Sequence, residues 1–253
     1  MNTNLQKKTQ AHYNKAPFDF LTAKSERRIR DYQPVPFRDF VDELLRPGDK
    51  VIDVGCGPGR GTMFLVQAGM DTFAVDLSVE SIALAKKRAP ESHFICASNL
   101  DLPICSGFFD AVVSDGVMHH TPDARKSFSE NARLVAAGGY LYVGVYRRNG
   151  YYYYVYTYIG PVVRWLEHRR WGRALIFSTI FPIYYLVHLL KSRGQRTLVG
   201  AKNFFYDYII TPQATFHPKE EICNWATDEG LELVSYDGNV GNVHAFVFRK
   251  LNP

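Results

Sequence analysis

Two carboxylates and a run of glycines at fixed spacing carry the first recognisable chemistry in this chain. Asp53 stands inside the apolar run Val51-Ile52-Asp53-Val54, which ends in Gly55-Cys56-Gly57-Pro58-Gly59-Arg60-Gly61. Twenty-one residues after Gly55, a second apolar run from Thr72 to Val75 ends in Asp76. A strand, a tight glycine turn and a helix N-terminus present backbone N–H groups to a nucleotide-like ligand. An acid closing the next strand can accept hydrogen bonds from both hydroxyls of a ribose. A dinucleotide turn needs the spacing G-x-G-x-x-G. Counted from Gly55 the third glycine falls on Arg60, and counted from Gly57 it falls on Thr62, so the spacing fails in both registers. A carboxylate at Asp53 repels a pyrophosphate but attracts an ammonium. A ligand built from adenine, ribose and a cationic amino-acid tail fits this arrangement better than a dinucleotide does.

The segment Asp53-Val54-Gly55-Cys56-Gly57-Pro58-Gly59 resembles the first motif of the class I S-adenosylmethionine-dependent methyltransferases, of the type 11 and quinone-methylating kind. The resemblance continues through Phe73-Ala74-Val75-Asp76-Leu77-Ser78, Leu102-Pro103, Phe109–Val113, Val117–Asp123 and the Gly138-Gly139 turn, in the family's order, over roughly residues 45–146. It implies a donor, S-adenosylmethionine, and a product, S-adenosylhomocysteine. Gly55, Gly57 and Gly59 would let the backbone approach that donor, Asp53 would order the turn or the ammonium, Asp76 would hold the ribose diol and Leu77 would pack on adenine. Where relatives carry an Asp that caps the adenine amino group, this chain has Ser98 followed by Asn99. Asp115, in the loop Ser114-Asp115-Gly116, would line the methionine portion.

Methyl transfer from a sulfonium is an in-line displacement. Alignment of the reactants can supply roughly 7–11 kcal/mol without an acid or base, so the lack of an obvious nucleophile is compatible with it. His119 and His120 follow the fourth predicted strand, at the sheet edge where open α/β folds bind ligands. A neutral imidazole there can take a proton from a hydroxyl or amine as it is methylated. Thr121 and Pro122 are expected to cap and start the next helix. Tyr13, Tyr206, Asp207 and His217 are the candidates for the acceptor pocket, and no metal is expected.

The elements that must position these groups read as an α/β, doubly wound, Rossmann-like seven-stranded sheet. A C-terminal antiparallel hairpin, turning at Asp237-Gly238-Asn239, and a helical insertion between the fifth and sixth strands complete it. Residues 1–45 form a helical segment, 46–147 the donor-binding core, 148–212 the insertion, and 213–253 the last helix and hairpin. Four cysteines without a C-x-x-C pair and a polar stretch from Met1 to Gln10 point to reduced thiols, no signal peptide and a cytoplasmic protein.

The net charge of +5 is uneven. Arg147 to Lys202 holds ten Lys or Arg and one acid, Glu167, which leaves a net of −4 on the rest of the chain. This segment is aromatic, opening with Tyr151-Tyr152-Tyr153-Tyr154, and contains the apolar run Ala174–Leu190, interrupted by Pro182. Seventeen residues fall short of the roughly 20 needed to span a bilayer, and a single crossing would separate strands of one sheet. The insertion is therefore expected as an acceptor lid, a homodimer interface or a helix resting on a lipid surface.

The leading expectation is methylation of a small molecule, anionic or aromatic and apolar. Within the class, a lipid or quinone methyltransferase at the membrane surface and methylation of an already organic arsenical stay open; only Cys105 and Cys223 look free to bind arsenic. A nucleic-acid-binding or -modifying protein is the reading from another class. The apolar character of Ala174–Leu190 and the lack of an N-P-P-Y-type motif at Ser114-Asp115-Gly116-Val117 argue against it, so no nucleic-acid partner is expected.

Overall fold

The computed structural model describes residues 3–19, 21–192, 194 and 197–252; Arg193 and Arg196, counted above among the bases of the insertion, lie outside them. Seven strands, β1 (Lys50–Val54), β2 (Asp71–Asp76), β3 (His93–Cys96), β4 (Phe109–Asp115), β5 (Val135–Tyr146), β6 (Leu231–Val240) and β7 (Val243–Lys250), form one sheet. Their order is β3-β2-β1-β4-β5-β7-β6. The first five are parallel and β7 pairs antiparallel with both β5 and β6. From β1 the chain moves outward to β2 and β3, then returns across β1 to β4. That reversal opens a crevice at the carboxyl ends of β1 and β4.

Successive strand residues point to opposite faces, so a sheet covered on both sides needs apolar residues at consecutive positions. Val51, Val113 and Tyr142 pack with Phe37 and Phe40 of α3 (Val35–Leu44) on one face, and their neighbours Ile52, Val112 and Leu141 pack with Phe128 and Ile222 on the other. Before α3 come α1 (Thr3–Lys15) and α2 (Ala23–Arg27). α4 (Arg60–Gln67), α5 (Val79–Arg88) and α6 (Ala124–Leu134) alternate with the strands.

After β5 the insertion folds as helices that widen into π turns. α7 (Tyr151–Tyr154) passes through the π turn Val155–Ile159 into α8 (Gly160–Glu167). α9 (Arg170–Leu175) passes through Ile176–Ile180 into α10 (Phe181–Lys191). α11 (Leu198–Phe205) runs into a third π turn, Tyr206–Ile210. α12 (Lys219–Asp228) then leads to the hairpin. The insertion leaves and returns at one point, where the His217 N–H donates to the Tyr146 carbonyl at 2.9 Å.

Three local expectations are corrected. The hairpin turns at Gly241-Asn242, not at Asp237-Gly238-Asn239, because Val240 pairs with Val243 and β7 is held in register along β5 from Tyr146↔Val243 to Tyr140↔Arg249. The cap of α6 is Asp123, whose side chain accepts from the Lys126 N–H, while the Thr121 hydroxyl donates instead to the Met118 carbonyl. The apolar helix is also longer than predicted, 22 residues from Arg170 to Lys191. Pro182 does not end it, because its missing N–H falls just after the π turn, where the regular i→i−4 ladder is already interrupted.

Candidate active site

The crevice is a cavity of about 370 Å³ between the glycine turn, the loop after β4, α1 and the inner side of the insertion. The Val75 carbonyl accepts from both Gly55 N–H (2.7 Å) and Cys56 N–H (3.0 Å), which folds the turn back over β2. Gly55 has φ +79°, and a Cβ there would lie 2.4 Å from both γ-carbons of Val117. Val117 is β-branched and has little rotamer freedom with which to retreat. Gly55→Ala is therefore expected to lower the melting temperature and weaken donor binding together. A parallel thermal melt and S-adenosylmethionine titration checks this, and an unchanged pair of values contradicts it.

Asp76 closes β2 with one carboxylate oxygen accepting from Gly57 N–H and the other from Ser78 N–H, both at 2.8 Å. Burial pushes its carboxyl up from the usual range, and the N–H donors pull against that. Each oxygen keeps a lone pair for a further donor, the arrangement a vicinal diol requires.

Asp53 is buried, accepts a hydrogen bond from the Thr62 hydroxyl at 2.8 Å and borders the cavity. Gly61 is small for a reason: a Cβ there would sit 2.9 Å from the Asp53 carboxylate. Burial lifts the Asp53 carboxyl to about 6, against the Thr62 hydrogen bond and the Arg60 charge. A group with a raised folded-state pKa favours the fold below its unfolded value, near 3.8, and loses that contribution as pH rises through about 6. A cationic ligand needs the ionised form. Donor affinity is therefore expected to fall about tenfold per pH unit below about pH 6, and Asp53→Asn should flatten the profile. Calorimetric titration between pH 5 and 8 measures both.

At the adenine end Ser98 and Asn99 divide in role. The Ser98 hydroxyl accepts from Leu100 N–H and so is occupied in shaping its own turn. Both polar ends of the Asn99 side chain are buried on the cavity wall with no partner among the described residues. An unsatisfied buried amide costs free energy until a ligand meets it, and an amide can pair with the amino edge of adenine. Leu77 borders the same end, and its carbonyl accepts from the Gln10 side chain at 2.9 Å. Gln6, Thr9, Gln10 and Tyr13 all line the cavity. Their spacing of three and four residues places them on one face of α1, which lies over the opening.

Asp115 is bound to Arg60 at 2.8 Å, and Arg60 also reaches the Gln33 side chain at 3.1 Å. Arg60 was not among the predicted site residues. Its signal was present, as the one base within the glycine turn. Arg60 with Asp53 supplies opposite charges for the carboxylate and ammonium of an amino-acid tail. Together with Asp76 and the unpartnered Asn99, the residues present fit S-adenosylmethionine.

At the opposite end the two histidines separate in role. His119 is buried and does not border the cavity; its Nδ1 accepts from Tyr146 N–H (3.2 Å) and its ring stacks on Tyr146 with centroids 3.6 Å apart. Burial and the nearby His120 push its pKa well down. It packs on Tyr146 away from the cavity, and its predicted catalytic role is corrected on that ground. His120 lines the cavity, with Nδ1 2.8 Å from the Gln213 carbonyl. A carbonyl only accepts, so Nδ1 carries the proton and the neutral ring keeps its lone pair on Nε2.

The Tyr13 hydroxyl donates to Asp207 at 3.0 Å, and Tyr146 reaches the same carboxyl. Burial raises the Asp207 carboxyl, while a proton on His120 would lower it, so the two groups are electrostatically linked. The structure thus brings Tyr13, His120 and Asp207 to one wall, joined by Tyr208, Phe18 and Phe204. Tyr206 is elsewhere: it packs in the insertion core with its hydroxyl 3.4 Å from Glu167. His217 borders a shallow surface depression and is held by Thr215 and Glu221. Both acceptor-pocket expectations are corrected. Cys105 and Cys223, the thiols of the arsenical reading, do not border the cavity either.

Residues 52–143 match the methyltransferase domain family. The demethylmenaquinone methyltransferase of Corynebacterium urealyticum is 33% identical over 201 residues, covering 79% of this chain and 75% of that protein. The enzyme of the same name from Paenarthrobacter aurescens is 28% identical over 236 residues, covering 93% and 80%. Among solved structures, magnesium protoporphyrin IX methyltransferase from Synechocystis has a TM-score of 0.59 at 14% identity over 97% of each chain, a likeness of fold. Fold, glycine turn and sequence relationship agree: the chain belongs to the class I S-adenosylmethionine-dependent methyltransferases.

Proposed function

We propose that this methyltransferase acts on an apolar, aromatic small molecule whose hydroxyl or N–H loses a proton during transfer, with His120 as the base. The observation that carries the reading is the His120–Gln213 hydrogen bond, which leaves the Nε2 lone pair available on a ring that lines the cavity. S-adenosylmethionine, when bound, supplies an electrophilic methyl group. The chain's own residues do the rest. Asp76, Asn99, Asp53 and Arg60 hold the donor's ribose, base and amino-acid ends. α1 covers the opening and limits water at the reacting centre. Phe18, Phe204 and Tyr208 present ring faces and edges to a flat acceptor. His120 accepts the acceptor's proton on Nε2, and Asp207 stabilises the resulting imidazolium through the electrostatic link between them.

The relatives named demethylmenaquinone methyltransferases make a reduced naphthoquinone lacking its ring methyl the first acceptor to test. S-adenosylhomocysteine release should be faster with that quinol, dispersed in detergent, than with a polar catechol of similar acidity. Equal rates, or release with neither, would overturn the proposed acceptor class.

A further inference from the structure

The outer face of the insertion is apolar and left exposed by the described residues. α7–α8 and α9–α10 form an antiparallel pair: Trp165 and Trp171 meet edge to face at the turn (5.9 Å), and the Lys191 ammonium lies over the Tyr151 ring (5.5 Å) at the open end. Along the two arms Tyr158, Val162, Trp165, Trp171, Leu186 and Leu190 recur at helical spacing and face solvent, with Trp171 58% and Leu190 70% exposed. The opposite side of the same helices, through Val163, Ile176 and Phe181, is buried against Phe205 and Ile209. The exposed stripes are therefore additional to the packing the fold needs, and contiguous apolar surface of this kind marks a docking face.

We propose that this face rests on an anionic lipid bilayer and that the acceptor is drawn from it. The deepening of the acceptor class rests on the methyltransferase reading above; the docking itself does not. Charge selects the occupant. Arg169 stacks over Trp165 at 3.8 Å, Arg170 and Lys191 are exposed at the two ends, and Glu167, the single acid between Arg147 and Lys202, is buried against Arg173. A second copy meeting this face about a two-fold axis would bring the same basic rim against itself. Anionic headgroups complement it, and tryptophan and tyrosine favour the interfacial layer.

The helix lies in the plane of the surface. α9 packs on α8 and α10 on α11, and β5 and β7 on either side of the insertion are hydrogen-bonded to each other. Phe204 and Tyr208, at the end of the same insertion, line the cavity from the inside. One element thus faces lipid on one side and the acceptor site on the other.

Flotation of the full chain with extruded vesicles tests this. Binding is expected to vesicles of phosphatidylcholine and phosphatidylglycerol in equal parts, on the order of tenfold or more tighter than to phosphatidylcholine alone, and weakened by salt. Leu186→Ser with Leu190→Ser should lower partitioning on the order of tenfold or more, with S-adenosylmethionine affinity unchanged as the control for folding. No vesicle binding, equal binding to both compositions, or a dimer in light scattering that the double variant dissolves would overturn the proposal. Turnover with a detergent-dispersed acceptor separates the two claims: docking lost with turnover kept sinks only the membrane face, and docking kept without turnover sinks only the acceptor reading.

Discussion

His120→Ala should lower kcat roughly 10²–10⁴-fold, the range a positioned general base contributes, while the dissociation constant for S-adenosylmethionine stays within about twofold. The split follows from geometry. His120 borders the aromatic end of the cavity, and its ring is oriented by the Gln213 carbonyl, outside the donor-binding turn. Removing it takes away the proton acceptor without touching Asp76 or Asn99. A purely structural histidine would instead lower thermal stability and leave the pH dependence of kcat unchanged. His119→Asn provides the contrast: loss of the stacking on Tyr146 should reduce stability first. Rapid-quench kinetics across pH 6–9 distinguishes the two.

The second large effect is expected at the other end of the cavity. Asp76→Ala removes the acceptor of two backbone N–H groups and, with it, the proposed ribose contact. Hydrogen bonds to a charged group are worth about 1.5–3 kcal/mol each, so loss of the two ribose bonds predicts donor binding weaker by at least roughly 10²-fold. Asp76→Asn, which keeps the shape, should lose less. Calorimetry on both variants, with circular dichroism as a fold control, measures the effect. Full affinity in the alanine variant would remove Asp76 from the donor site.

The donor end was legible in the sequence because its chemistry is local. Gly55, Gly57 and Asp76 belong to one βαβ unit, whose turn requires positive φ at the glycines and whose next strand ends opposite them. The acceptor end was not legible in the same way. Asp207 meets Tyr13 across 194 residues, a contact set by how the insertion folds back. Tyr208 lines the cavity in place of the expected Tyr206, because the wider winding of a π turn changes which neighbour of Asp207 faces inward. Between Ser98 and Asn99 the sequence left the adenine contact open; the hydroxyl satisfies its own turn, and the longer amide is left to face the cavity. α1 carried a readable signal in Gln6, Thr9, Gln10 and Tyr13, yet nothing in that spacing said which surface the face would cover. His217 fell to the start of α12, where Glu221 one turn later binds it.

The basic, aromatic stretch was visible from composition alone. Its role depended on which apolar residues the fold leaves outside. Once Val163, Ile176 and Phe181 were buried, Trp165, Trp171 and Leu186 remained exposed as a separate surface.

The two ends of one cavity are proposed to bind a methyl donor and an apolar acceptor. The most direct test of this proposal is single-turnover transfer from methyl-labelled S-adenosylmethionine in the presence of a lipid extract, followed by organic extraction. Label should appear in the organic phase with stoichiometric release of S-adenosylhomocysteine, and both should be lost in His120→Ala. Label confined to a nucleic-acid fraction, or donor binding without any transfer, would contradict it.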